Sequence, residues 1–139
     1  MDKLNILIID GQGGRVGKLL CERIKETDLN CEITAVGTNS LATSAMLKGG
    51  ATRVATGENS VLVCSKNADV IIGPVGIAIA DSLLGEITSV MANAVAQSNA
   101  VKLLIPVTKC NNIVIGVDDL SFSELIDKTV QKLYNLYKN

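Results

Sequence analysis

The sequence predicts an α/β domain of the Rossmann-like, three-layer kind, with a mainly parallel sheet of about six strands. Three observations predict it. Short apolar runs alternate with helical patterns from one end of the chain to the other. The first run passes straight into a glycine-rich turn, Asp10-Gly-Gln-Gly-Gly14, that opens a helix. The first run is apolar at nearly consecutive positions rather than alternate ones, the mark of a strand covered on both faces.

Each element can be justified in order. Residues 4–9 form the first strand. Arg15 to Glu26 is a helix with Val16, Leu19, Leu20 and Ile24 on one face and Lys18, Glu22 and Lys25 on the other. Glu32 to Val36 is the second strand, ending at Gly37-Thr-Asn-Ser40. Asn39 or Ser40 caps a helix through Met46, and Gly49-Gly50 stops it. Arg53 to Ala55 is a brief third strand, and Val61 to Lys66 a short helix or turn. Asp69 to Ile72 is a fourth strand running into Gly73-Pro-Val-Gly76. From there to Gln97 the chain reads as helix, punctuated by Gly85, with Ile87, Val90, Met91, Ala94 and Val95 as its stripe. Lys102 to Val107 and Ile113 to Val117 read as two more strands. Ser121-x-x-Glu124 is a capping box for a last helix whose core face is Phe122, Leu125, Ile126, Val130 and Leu133.

Composition narrows the function. The 139 residues make one domain, 1–139, that can bury a core without staples; 47% are apolar and 19% charged, so the chain is not of the disordered class. The net charge is −1 and the basic residues are scattered; with no Trp, one Phe and two Tyr there is neither a basic stripe nor a stacking platform for nucleic acid. No histidine and no CxxC pair occur among Cys21, Cys31, Cys64 and Cys110, which excludes an ordinary transition-metal site and leaves the cysteines as reduced, packed thiols. The apolar runs are too short for a signal peptide or a membrane span, which implies a cytoplasmic protein without a membrane partner.

In a sheet of this class, ligands bind beyond the carboxyl ends of the strands. The loops expected there are Asp10 to Gly17, Thr38-Asn39-Ser40, Gly57-Glu58-Asn59 and Gly73-Pro74-Val75-Gly76. In the first loop, Asp10, Gly11, Gln12, Gly13, Gly14, Arg15 and Val16 suit a phosphate: glycine lets the backbone approach, and the next helix presents free N–H groups and a favourable dipole. The same glycines also suit a tight turn without ligand. Asp10 adjoins the loop, where bracing it by a hydrogen bond is favoured over a catalytic or Mg²⁺-linked role.

Thr38, Asn39 and Ser40 would lie at the ribose. An NAD site usually carries a carboxylate there, and none is present in the run 37–40. That absence favours NADP(H) over NAD(H), with Arg15, Lys48 or Arg53 supplying charge to a 2′-phosphate; helix capping is the alternative role of the three residues. A P-loop is excluded by Gln12 and Leu19 at its required positions, and a phosphoacceptor receiver by the lack of Asp in the third strand. Asp10, Glu58, Asp81 and Glu86 are the remaining acids, and no nucleophile–base pair is visible.

With its flanks, Gly11-Gln-Gly-Gly-Arg-Val-Gly17 resembles the nucleotide loop of the dihydrodipicolinate reductase family, which implies NADH or NADPH at this loop; that family's substrate domain has no counterpart here. Over nearly its whole length the chain is similar to a small bacterial family catalogued only as a domain of unknown function. The runs that carry this are Ile9-Asp-Gly-Gln-Gly-Gly14, Ala35-Val-Gly-Thr-Asn-Ser-Leu-Ala-Thr-Ser-Ala-Met46, Thr56-Gly-Glu-Asn59, Ile71-Ile-Gly-Pro-Val-Gly76, Leu84-Gly-Glu-Ile-Thr88 and Ile105-Pro-Val-Thr-Lys-Cys110.

The expectation is therefore a binder of a nucleotide or other phosphorylated ligand, foremost NADP(H), acting as a regulatory or ligand-sensing module. The alternative is a small NAD(P)-dependent oxidoreductase with its substrate near Gly73 to Gly76 and Thr108-Lys109. The charge-poor stretch from Asn67 to Val101 predicts a homo-oligomer through residues of about 77–98.

Overall fold

Buried isoleucine and leucine at every position from Ile6 to Ile9 place the first strand at the centre of a sheet covered on both sides. The computed structural model describes residues 2–107, 111–117 and 119–139. Five parallel strands, β1 (Leu4–Asp10), β2 (Cys31–Gly37), β3 (Arg53–Thr56), β4 (Val70–Pro74) and β5 (Val101–Ile105), lie in the order β3-β2-β1-β4-β5. This is the strand order of the doubly wound dinucleotide-binding sheet without its sixth member. The register aligns Asp10 with Gly37 across β1 and β2, and Ile8 with Ile72 across β1 and β4.

The helices are α1 (Arg15–Lys25), α2 (Ser40–Lys48), α3 (Glu58–Ser65), α4 (Ser89–Gln97) and α5 (Phe122–Tyr137). Strand alternation splits the core in two. Ile6, Ile8, Ile33 and Ile72 face Leu20, Ile24, Met46 and Ile126 of α1, α2 and α5. Leu7, Ile9, Val36 and Ile71 face Val61, Met91 and Val95 of α3 and α4. The expected capping box is present at α5: Glu124 N–H donates to Ser121 Oγ, and Ser121 N–H donates to the Glu124 carboxylate. Among the described residues, no helix is long and apolar enough to cross a membrane.

Two expected elements differ. The sheet has five strands because Ile113 to Val117 is not a strand: Gly116 turns at φ 85°, and Ile113 and Ile115 are over four-fifths exposed. The long helix after β4 is broken. A 3-10 turn at Val75–Ala78 leads into a loop in which Asp81, Leu83, Leu84 and Gly85 all take positive φ, and regular helix starts only at Ser89, capped by the Thr88 hydroxyl. Positive φ at three residues that carry a Cβ is incompatible with continuing an α-helix.

The stripe expected at a subunit contact is divided by this arrangement. Ile87, Met91 and Val95 are buried in the chain's own core, whereas Val90, Asn93 and Gln97 remain on the surface.

Candidate functional site

Two carboxylates, Asp10 and Glu86, occupy part of the donor set of the β1–α1 turn. Asp10, at the end of β1, is buried, and it accepts hydrogen bonds from the N–H of Gly11 (2.8 Å) and of Gly17 (2.7 Å). It therefore braces the loop and occupies part of the N-terminal donor set of α1. Burial raises its pKa to about 6, against the lowering effect of the Gly17, Gly11 and Val16 amides; the nearby Glu86 charge adds to the rise.

Glu86 is the second carboxylate and comes from the strained loop after β4. Its Oε1 accepts the N–H of Gln12 (2.8 Å), the amide of Asn39 (3.0 Å) and the hydroxyl of Thr38. Desolvation pushes its pKa up, but the hydrogen bonds from Thr38, Gln12 and Asn39 outweigh that and hold it below the usual carboxylate range. Asn39 links three elements: Oδ1 accepts the N–H of Ala42 at the α2 N-cap, and Nδ2 donates to Glu86 and to the carbonyl of Gln12.

The loop's glycines divide by role. A Cβ on Gly11 would meet Thr38 Oγ1, Glu86 Oε1 and Leu83 Cδ1, all within 2.9 Å. Gly14, the N-cap of α1 at φ 73°, lies against the backbone of Ala42, and Gly17 against Met46 and Asp10. These three serve packing and turn geometry. Gly13 alone of the four faces open space, and neither its N–H nor that of Arg15 has a hydrogen-bond partner among the described residues.

A pocket of about 320 Å³ opens over Gly13 and is walled by Leu83, Val107 and Phe122. Arg15 stacks its guanidinium 3.8 Å from the centroid of the Phe122 ring, which fixes the charge at the rim. Val16 is buried in the core below it. On the outer side of α1 and α2, Arg15, Lys18 and Lys48 border a shallow groove that also reaches Gly13.

The sequence-derived site residues thus fall into groups. Asp10, Gly11, Gln12, Gly13, Thr38 and Asn39 come together at the carboxyl edge between β1 and β2, and Ser40 is exposed at the start of α2. Gly73, Pro74 and Gly76 are buried at the end of β4 and do not line the pocket; Gly73 packs against Ile77 and the Ile9 carbonyl. Arg53 stands at the amino end of β3, paired with Glu32 and Thr34, on the edge away from the loops. Glu58 is exposed at the start of α3. Thr108, Lys109 and Cys110 lie outside the described residues.

Cys21, Cys31 and Cys64 are free thiols, and burial pushes Cys21 up to about 12. Among the described residues, no group of three or more His, Cys, Asp or Glu could hold a metal ion. Sequence reasoning gave Glu86 no role, and it did not single out Leu83, Val107 or Phe122 as pocket walls. The presence of Glu86 in the run Leu84-Gly-Glu-Ile-Thr88 was the one local hint.

Comparison with solved structures finds an FMN-dependent UbiX-like decarboxylase of Escherichia coli O157:H7, a dodecamer. It is 12% identical, with a TM-score of 0.46 over 97% of this chain and 94% of that one. No curated protein matches the chain. Residues 5–138 match the family described as Domain of unknown function (DUF3842), so the chain belongs to that family.

Proposed function

We propose that this protein binds a phosphorylated ribonucleotide, with NAD(H) or NADP(H) as the leading ligand class, and that it does so as a regulatory or sensing module in the cytoplasm. The observation that carries the reading is the open backbone of Gly13 beside Arg15. It offers two N–H groups without a partner among the described residues, and a guanidinium stacked on Phe122, at the β1/β4 switch point, where doubly wound sheets bind their ligands. The phosphate would sit over Gly13 and Arg15, and the ribose on the other side of Gln12, at Thr38 and Asn39.

Sensing is favoured over turnover because the two carboxylates nearest the pocket are engaged by donors of the protein itself. Asp10 uses both oxygens on backbone amides, and Glu86 places three donors on one oxygen. A small oxidoreductase is the second reading, supported by the Asp10 pKa of about 6, which would suit proton exchange near neutral pH. Self-association through the surface that includes Val90, Asn93 and Gln97 is part of the proposal; its support is the uncharged, part-apolar outer face of α4.

A thermal-shift screen of pyridine nucleotides and ADP-ribose tests the reading. A ligand at 100 times its dissociation constant should stabilise the fold by about 2.7 kcal/mol. Hits with no time-dependent turnover support the sensor; turnover would select the enzyme.

A further inference from the structure

We infer that Glu86 is the ribose-recognition residue of this site, and that it selects a ribose with free 2′- and 3′-hydroxyls against a 2′-phosphorylated one. The inference rests on the nucleotide reading above and sharpens its ligand class. In doubly wound dinucleotide-binding sheets, a carboxylate just after the second strand accepts the ribose hydroxyls. Here β2 ends at Gly37, and Thr38, Asn39 and Ser40 supply no carboxylate. The chain fills that place from elsewhere. Glu86, 48 residues beyond Thr38, joins the Thr38 hydroxyl, the Asn39 amide and the Gln12 N–H on a single oxygen, Oε1.

Oε2 makes no hydrogen bond to the described residues, so its lone pairs are free to accept from a diol. Thr38, Gln12 and Asn39 also fix where the carboxylate sits. Gly11 beneath it leaves no room for a Cβ, so backbone and carboxylate are in close approach beside the Gly13 pocket, where a ribose would join its phosphate.

The backbone that delivers Glu86 is held in an uncommon form. Leu83, Leu84 and Gly85 take φ of 57°, 56° and 88° in succession. The turn is closed by Asp81 N–H to Ile87 O (2.7 Å) and Ile87 N–H to Ser82 O (3.1 Å), and pinned by the buried Leu83. Two consecutive leucines with positive φ persist only where the surroundings over-determine them. Their effect is to set Glu86 against the loops after β1 and β2. A 2′-phosphate would bring its charge beside this carboxylate and accept where an acceptor already stands, so it meets a like charge there.

The test is calorimetric titration of ADP-ribose and 2′-phospho-ADP-ribose into the full chain and into Glu86→Gln. The inference expects the wild-type protein to bind ADP-ribose at least tenfold more tightly. The Gln variant, which keeps an acceptor and loses the charge, should reduce that ratio to about threefold or less. Wild-type binding of both ligands with equal affinity, or a preference for the 2′-phosphate, would overturn it without any variant being needed. A preference that survives in Glu86→Gln would also overturn it, as would tighter binding of both ligands to a folded Glu86→Ala, which would mark the carboxylate as a plug. Binding of neither ligand to wild-type protein would instead remove the nucleotide reading itself, and this inference with it.

Discussion

The Gln12 backbone N–H donates to Glu86 Oε1 at 2.8 Å across 74 residues of chain, and through that bond the loop after β4 holds the loop after β1. Both partners lie in unfavourable backbone neighbourhoods. Gln12 has φ 48°, and Glu86 follows the left-handed run from Leu83 to Gly85. The bond is thus the tie between two strained turns at the switch point. Removing the acceptor in Glu86→Ala leaves the Gln12 amide, the Thr38 hydroxyl and one Asn39 donor without it. The expected cost is about 1–3 kcal/mol, with the solvent-exposed location favouring the low end. Amide exchange at Gln12 should accelerate with it; protection equal to wild type would show that the tie contributes nothing to loop order.

Asp10 gives a pH prediction with a definite sign. Its pKa lies near 6 in the folded chain and near 3.8 in the unfolded one, so the folded state keeps a proton that the unfolded state releases between about pH 4 and pH 6. Its contribution to stability therefore falls as pH rises through that window and is constant above it. Asp10→Asn removes the titration. The stability difference, wild type minus variant, should drop by about 2 kcal/mol from pH 4 to pH 7. Urea unfolding at intervals across this range measures it, and a flat difference would contradict the buried, ionisable Asp10.

Asn39→Asp separates two roles in one side chain. The carboxylate can still accept from Ala42 N–H at the α2 N-cap, but it can no longer donate to Gln12 O and Glu86, and it meets Glu86 as a like charge. A loss of about 1–3 kcal/mol is expected at neutral pH, shrinking as pH falls and the acids protonate. Asn39→Asp as stable as wild type at pH 7 would show that Asn39 acts as a helix cap alone.

Gly14 tests the packing of the turn. Alanine there must keep φ near 73° and place its Cβ 2.7 Å from Ala42 Cα, so Gly14→Ala should cost about 2–4 kcal/mol. Thermal unfolding within a degree of wild type would mean that α1 and α2 separate easily at this point.

How much of this was legible follows from the range over which each feature is decided. β1 and β4 were readable because Ile6 to Ile9 and Val70 to Ile72 are apolar at consecutive positions, which a two-sided burial demands. α5 was readable because Ser121 and Glu124 satisfy each other's amides locally. Ile113 to Val117 has the β-branched composition of a strand, yet strand formation needs a partner, and composition cannot report one. The same limit hid the loop at 79–88. Its apolar residues fit a helix, while Leu83 and Leu84 take positive φ in a turn that buries Leu83 beside Gly11.

The site was half legible for the same reason. Gly11 to Val16 announces itself because glycine's backbone freedom is a local property. The expected glycine roles needed the fold to sort them: Gly14 and Gly17 answer to Ala42 and Met46, and Gly13 alone is open. The carboxylate missing after β2 was missing only from the local sequence, since Glu86 stands beside Thr38 and Asn39.

The central claim is that a nucleotide phosphate sits over Gly13, and Gly13→Val tests it most directly. A Cβ there meets nothing within 4 Å in the protein, so the variant should fold with an unfolding midpoint close to that of wild type. Calorimetric titration of ADP-ribose into wild type and Gly13→Val, side by side, is the measurement. The account predicts binding to the wild-type protein and at least a tenfold loss in the folded variant, because the valine methyls fill the space the phosphate needs. Equal affinity in the two proteins would contradict it.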